Sequence, residues 1–297
     1  MKKCGFIALI GTPNAGKSTL LNRLTGAKIS IVSPKAQTTR ARVLGMMLRG
    51  DAQIIFVDTP GIFLPKRRLD QAMVDAAWNG AQEADALFLL LDAKSGPNEA
   101  FHKIATQLAA TGIKMALLLN KIDLIDRRNL LPLTQEVMKL APFERVFMIS
   151  AETGEGMDAL LDYSLDILPE SPFLYPEEDL TDLPDRQLAA EIVREQIFLQ
   201  TRDEVPYGAT VETESFKEQK NGTIRIDAVI YVARSGHKAI LIGLKGGRIK
   251  EIGSKARREL ERLLEVKVDL FLRVVERPGW DEEAARIRAA GLELPRK

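Results

Sequence analysis

Gly11-Thr12-Pro13-Asn14-Ala15-Gly16-Lys17-Ser18, followed by Thr19, spells G-x-x-x-x-G-K-S directly after the apolar run Phe6-Ile7-Ala8-Leu9-Ile10. Strand, glycine turn and helix in that order make a phosphate cradle: inward backbone N–H groups and the positive end of the helix dipole both face the anion. Lys17 is placed to reach β- and γ-phosphates, and the Ser18 hydroxyl to ligate magnesium. A loop of this kind commits the chain to an α/β fold in which a strand ends at the phosphates.

The rest of the chain agrees with that commitment. Short apolar runs at Phe6–Ile10, Val43–Leu48, Ile54–Val57, Leu87–Leu91, Met115–Leu119 and Val146–Ile149 alternate with helical patterns, which predicts a doubly wound, mostly parallel six-stranded sheet over residues 1–168. Pro169-Glu170-Ser171-Pro172-Phe173-Leu174-Tyr175-Pro176-Glu177-Glu178-Asp179 cannot continue a helix, so residues 169–184 are assigned to a Pro-rich acidic linker. Beyond it, helical spacing from Leu188 to Leu199 is followed by alternating runs Thr210–Phe216 and Ile224–Val232 around the hairpin signal Asn221-Gly222. An apolar run Ala239–Ile242, a basic helix from Arg248 to Leu264 and a last strand Val266–Val275 complete an α-β-β-α-α-β module over 185–297.

Length and composition are compatible with two such domains: 297 residues, 45% of them apolar. The net charge of +1 does not mark the whole chain as a nucleic-acid binder, so any basic surface must be local. One cysteine, Cys4, excludes an intrachain disulfide, and no run reaches the roughly 20 apolar residues that span a bilayer. A cytoplasmic protein is expected.

Three further loops follow predicted strands. Asp58-Thr59-Pro60-Gly61 places a carboxylate where it can hold magnesium and a glycine N–H where it can meet a γ-phosphate. Asn120-Lys121-Ile122-Asp123 selects the base, because the Asp123 carboxylate can accept from guanine N1–H and its amino group, whereas adenine presents an acceptor there. Asn120 would brace the phosphate loop and the Lys121 stem would lie along the base. Ser150-Ala151-Glu152 would supply the Ala151 N–H to guanine O6. Phosphate loop, Asp-x-x-Gly, Asn-Lys-x-Asp and Ser-Ala-x together resemble the GTPase superfamily of Ras-like proteins and translation factors. The resemblance implies GTP and GDP as substrate and product with Mg2+, and a first switch at Ser33-Pro34-Lys35-Ala36-Gln37-Thr38-Thr39-Arg40 whose Thr38 or, preferably, Thr39 joins Ser18 and Asp58 on the metal. Lys17, Thr39, Asp58 and Gly61 are then the groups expected to carry turnover.

Where Ras-like proteins put a water-orienting glutamine, this chain has Ile62, which can neither donate nor accept a side-chain hydrogen bond. Slow intrinsic hydrolysis is therefore expected, with stimulation by RNA and by K+. Asn14 suggests the latter, since in some related bacterial GTPases an asparagine at this loop position helps hold potassium. Neither His102 nor His237 is placed for acid–base chemistry, and both are expected in solvent.

In the second module, Gly243-Leu244-Lys245-Gly246 sits between two predicted helices, and from Lys238 to Arg258 there are seven basic residues and one acid. This resembles a KH domain, whose G-x-x-G loop lets a single-stranded backbone lie against side-chain-free glycines. Lys238, Gly243, Leu244, Lys245, Gly246, Arg248, Lys250, Lys255 and Arg258 are the expected RNA contacts. No aromatic residue is seen in this stretch to stack on bases.

One GTPase domain followed by one KH module is similar to the Era family of ribosome-associated GTPases. The resemblance covers nearly the whole chain, including Gln37-Thr38-Thr39-Arg40 and Leu188-Ala189-Ala190-Glu191-Ile192-Val193-Arg194-Glu195. It implies a monomeric small-ribosomal-subunit assembly factor whose KH domain captures the 3′ end of small-subunit rRNA under nucleotide control, and it leaves room for peripheral contact at the inner face of the membrane. Two other readings stay open: an RNA-binding module with GTP as a structural ligand, which Ile62 permits, and a relative of tandem-domain GTPases such as the Der family, which the single phosphate loop disfavours.

Overall fold

The computed structural model describes residues 1–295. Its N-terminal half is built from β1 (Lys3–Gly11), α1 (Lys17–Thr25), β2 (Val43–Arg49), β3 (Ala52–Asp58), α2 (Arg68–Gln82), β4 (Ala86–Asp92), α3 (Glu99–Ala109), β5 (Lys114–Asn120), α4 (Leu130–Val137), β6 (Arg145–Met148) and α5 (Met157–Ile167). The sheet runs β2-β3-β1-β4-β5-β6, with β2 antiparallel to β3 and all other pairs parallel. Parallel strands joined by crossovers are covered on both faces, which is why Ile7–Ile10, Leu87–Leu91 and Leu117–Leu119 are continuous apolar runs with no polar alternation. Ala77 and Ala81 of α2, Phe101, Ile104 and Leu108 of α3 and Val137 of α4 close one face. Leu20, Leu21 and Leu24 of α1 with Leu160 and Leu161 of α5 close the other.

The linker is not a free tether. Cys4 donates its N–H to Pro169 O, Met46 donates to Leu180 O, and Leu44 N–H meets Asp182 Oδ1. The buried Gln53 side chain takes the N–H groups of Leu174 and Tyr175 on its Oε1. Residues 169–182 are thus strapped across the GTPase domain rather than hanging free of it.

The second module contains α6 (Asp185–Gln200), β7 (Ala209–Glu218), β8 (Ile224–Val232), α7 (Ser235–Ile242), α8 (Gly247–Leu264) and β9 (Val268–Glu276). Its sheet is β7-β8-β9, antiparallel then parallel. Ile252, Ala256 and Leu260 recur at four-residue spacing and bury one face of α8 against Ile192, Val193, Ile226 and Ile230. The last strand begins at Val268, later than its pattern predicts, because Glu265 leaves α8 in a left-handed conformation (φ 54). After β9 the chain turns at Trp280–Glu282 and forms α9 (Ala284–Ala289). No helix among the described residues is long and apolar enough to cross a membrane.

Candidate nucleotide and RNA sites

The loops after β1, β3 and β5 meet at the carboxyl ends of their strands around a cavity of about 640 Å³, the place where open α/β sheets bind ligands. Its lining includes Thr12, Pro13, Asn14, Gly16, Lys17, Ser18, Thr19, Thr38, Thr39, Gly61, Ile62 and Lys121. Gly16 is at φ 99, and a Cβ on it would lie 2.2 Å from Asn120 Nδ2, so no other residue lets the phosphate loop pack on the base-selecting loop. Asn120 uses both ends of its amide: Nδ2 donates to Ala15 O at 2.8 Å, and Oδ1 accepts the Ala151 N–H at 3.0 Å. The Ala151 N–H, expected to meet guanine O6, here donates to Asn120, whose buried Oδ1 needs a donor. Arg23 secures the same loop by donating to Ala151 O and Glu152 O.

Lys17 is buried and donates to Gly11 O at 3.2 Å and Thr12 O at 3.1 Å. Burial lowers its ammonium to about 8, with Asp58 pulling the other way. Asp58 Oδ2 accepts from Ser18 Oγ at 2.7 Å, Ser30 Oγ at 2.9 Å and Thr39 Oγ1 at 3.0 Å, and the Ser18 and Thr39 hydroxyls are 2.7 Å apart. Asp58 Oδ1 is buried with no partner, and burial raises the carboxyl above the ordinary carboxylate range. Two hydroxyls and a carboxylate with a spare buried oxygen are the hard-oxygen donor set that suits Mg2+. Of the two switch threonines, Thr39 takes part; Thr38 Oγ1 donates to Lys35 O instead. Three donors of different types, only one of them acidic, explain why no cluster of three His, Cys, Asp or Glu residues occurs among the described residues.

Several expected site residues lie behind the site. Thr59 is fully buried and donates its hydroxyl to Leu9 O at 2.8 Å, and Ser150 Oγ accepts the Thr153 N–H. Pro60 and Ile122 are buried, Ile122 donating its N–H to Ile149 O. Ile62 donates its N–H to Gly11 O and packs its side chain into the core. Lys121 pairs with Asp92 at 2.7 Å, while Asp123 and Glu152 are exposed at the outer edge. Asn14 Nδ2 donates to Pro34 O at 3.1 Å, tying the phosphate loop to the first switch.

That switch, part of the segment 26–42 without helix or strand, is clamped from outside by the KH module. Glu195 accepts the Val32 N–H at 3.0 Å and pairs with Lys28 at 2.7 Å. Arg194, 1% exposed, donates to Thr38 O, one residue before Thr39. Lys35 caps the end of α6 by donating to Phe198 O and Thr201 O. Arg40 donates to Ala209 O at 2.9 Å over the Trp280 ring. The start of α2 is held as well: Leu69, Ala72 and Met73 pack with Val229, Tyr231, Trp280, Ile287 and Leu292. None of these contacts has a signal in the linear sequence, because each partner lies more than 130 residues away.

In the KH module, Gly243 is at φ 71 and a Cβ there would meet the Arg248 backbone nitrogen at 2.9 Å; Lys245 is left-handed too, at φ 49. Leu244 (89% exposed) and Lys245 form the tip of the loop. Beside it runs a groove of about 310 Å³ lined by Ile249, Lys250, Gly253, Ser254, Arg257, Leu270, Phe271 and Leu272. Lys250, Gly253, Ser254 and Arg257 share one helix face by their spacing. Lys255 and Arg258 fall on the neighbouring face, where Lys255 pairs with Glu251 at 2.9 Å, so these two expected contacts do not line the groove. Phe271, 51% exposed, corrects the absence of an aromatic residue: β9 brings it alongside α8 from outside the basic stretch. Lys238 is half-buried, and Arg248 is exposed and donates to Gln200 O. His237 is half-buried, its Nδ1 enclosed without a partner beside Gly208, contrary to the expectation of solvent exposure.

A family model described as "50S ribosome-binding GTPase" matches residues 6–121, and a KH domain model matches residues 204–279. GTPase Era of Brucella suis is 49% identical over 293 residues, covering 99% of this chain and 94% of its own. GTPase Era of Mesorhizobium japonicum is 51% identical, covering 98% and 94%. Among solved structures, an Aquifex aeolicus Era variant bound to GDP·AlF4− superimposes with TM-score 0.94 at 42% identity, covering 97% of this chain and 99% of that one. Era in complex with MgGDPNP and nucleotides 1506–1542 of 16S ribosomal RNA superimposes with TM-score 0.95, also at 42% identity, over 98% and 99%.

Proposed function

The chain belongs to the GTPase Era family, and on that premise we propose that it is a GTP-hydrolysing switch whose KH domain holds the 3′ end of small-subunit rRNA during assembly of that subunit. The observation that carries this reading is one loop with two duties. Thr39 of the first switch closes the Ser18–Asp58 hydroxyl cluster, while Thr38 O and Val32 N–H of the same loop are gripped by Arg194 and Glu195 of the KH module. A loop ordered by nucleotide and metal is therefore also the KH module's seat, the order-to-disorder device that GTPases use to report the γ-phosphate.

In this reading the phosphate-loop N–H groups and Lys17 bind the phosphates, and Gly61 meets the γ-phosphate. Ser18, Thr39 and Asp58 hold Mg2+, which when bound neutralises charge developing on the phosphates. Asp123 reads the guanine edge and Asn120 keeps its loop in register. In the KH module, Gly243–Gly246 receives the RNA backbone while Lys250, Arg257 and Phe271 line the base groove. Potassium is the further cation proposed at Asn14, and equal turnover in sodium and potassium buffers would sink that assignment. The protein acts in the cytoplasm as a monomer. The family description that names the large subunit matches residues 6–121, outside the KH domain that selects RNA.

Fluorescence anisotropy of a short single-stranded RNA matching the 16S rRNA 3′ end tests the reading, with protein loaded with GDPNP or GDP. Tighter binding in the GDPNP state is expected. Equal affinity would separate the two modules functionally, and no binding would remove the rRNA assignment.

A further inference from the structure

Ile62 leaves the hydrolytic water without a partner at the position that follows Asp-x-x-Gly, since its side chain is apolar and packed in the core. Another group in the cavity must orient that water, and a group that both donates and accepts is needed to hold it against the γ-phosphate. Three carboxamide side chains line the cavity: Asn14, Gln37 and Asn98. Asn14 is engaged with Pro34 O, and Asn98 caps α3 by accepting the Phe101 N–H at 2.9 Å. The Gln37 amide enters no hydrogen bond among the described residues. Within the switch and the Ser18–Asp58 cluster, Thr38 donates to Lys35 O, Ser33 accepts the Lys35 N–H, and Ser18 and Thr39 bind Asp58, while the other hydroxyls on the lining, Thr12, Thr19 and Ser95, stand on shorter side chains than the Gln37 amide.

Gln37 also has an uncommon backbone conformation. It is half-buried and left-handed, at φ 59, a backbone state costing a non-glycine residue on the order of 1 kcal/mol. Two residues on, Thr39 reaches the Ser18–Asp58 cluster, and two residues of chain span at most about 7 Å. Gln37 is thus carried to the phosphate end of the cavity by the same ordering of the switch that brings in Thr39.

We propose that Gln37 is a catalytic residue, its side-chain amide positioning the attacking water in place of the glutamine that Ile62 replaces. This rests on the GTPase reading above. The water oxygen forms the new bond to the γ-phosphorus as the bridging oxygen departs on GDP, and the water's proton leaves with inorganic phosphate. Gln37 aligns the water by hydrogen bonds and is itself unchanged.

The test uses full-length protein in single-turnover GTP hydrolysis, with GDPNP affinity and aluminium-fluoride-dependent trapping of a fluorescent GDP measured in parallel. Gln37→Gly keeps the left-handed backbone and deletes the amide; Gln37→Asn keeps an amide that is one methylene short. The proposal expects Gln37→Gly to slow hydrolysis by roughly 10- to 100-fold, with GDPNP affinity within about twofold and trapping lost. Gln37→Asn should retain more of the rate than Gln37→Gly. An unchanged rate in Gln37→Gly overturns the proposal, as does an equal fall in rate and GDPNP affinity in both variants, which would mark a structural role. Absence of turnover in the unaltered protein would instead strike at the GTPase reading itself.

Discussion

Burial holds the Lys17 ammonium at about 8, below its ordinary 10.5. The unfolded chain therefore binds more protons than the folded one between those values, and this group's contribution to stability rises with pH across that window. Bound phosphate favours the ammonium, so GTP binding should take up a proton above about pH 8 and weaken as pH climbs. Calorimetry in buffers of different ionisation enthalpy reads that uptake, and an affinity that stays flat from pH 8 to pH 10 would contradict it. Lys17→Ala should lower GTP affinity about 100-fold or more, from loss of a charge-assisted contact worth roughly 3 kcal/mol. At the other end of the cavity Asp123 is exposed and unshared, so Asp123→Asn should leave the fold intact and shift preference from guanine toward xanthine nucleotides. Retained guanine preference in competition binding would show that another group reads the base.

At the scale of elements, the G-x-x-G turn separates two uses of glycine. Gly243 is needed by the protein, because a side chain there would collide with Arg248 at the start of α8. Gly246 has nothing within 4 Å of a Cβ position but is left-handed at φ 77 at the start of α8, so its glycine serves the backbone turn and leaves an open face beside the loop. Gly246→Asp should accordingly cut RNA affinity by on the order of 10- to 100-fold while GTP affinity stays unchanged. Filter binding and nucleotide titration on the same preparation check this, and normal RNA binding would remove the loop from the interface. Much of this level was legible from sequence: strand and helix runs, the Asn221-Gly222 hairpin and the α-β-β-α-α-β order all appear close to where their patterns fall. The groove was less so. A helix face can be read from spacing, but sequence alone did not distinguish the Arg257 face from the Lys255 and Arg258 face until β9 packed beside it.

Over the whole molecule, the first-switch segment and the start of α2 form the interface between the domains. The former is held through Lys28, Val32, Lys35, Thr38 and Arg40, and the latter by the buried cluster around Met73 and Trp280. Burial, and after it the neighbouring Arg194 guanidinium, disfavours the charge on Arg40, with Glu191 as counter-charge, and Arg40 and Arg194 each leave one buried nitrogen unpaired. Such an interface is poised, because unpaired buried polar groups subtract from the stabilisation its apolar contacts supply. Arg194→Met should leave GDPNP affinity near its original value and bring the ratio of RNA affinities in the GDPNP and GDP states toward one. A preserved ratio would place the coupling elsewhere.

The phosphate loop, the guanine-selecting loop, the parallel sheet and the G-x-x-G turn could all be read along the chain, because each depends on residues within a few positions of one another and on periodicities set by backbone geometry. Folding alone decided that Thr39 rather than Thr38 joins Asp58, that Asn120 takes the Ala151 N–H, that the linker is strapped down, and that Phe271 lines the groove beside α8. It also decided that Arg194 and Glu195 grip the first switch. These are pairings between distant segments, fixed by how two packed cores fit together, and no local propensity encodes them.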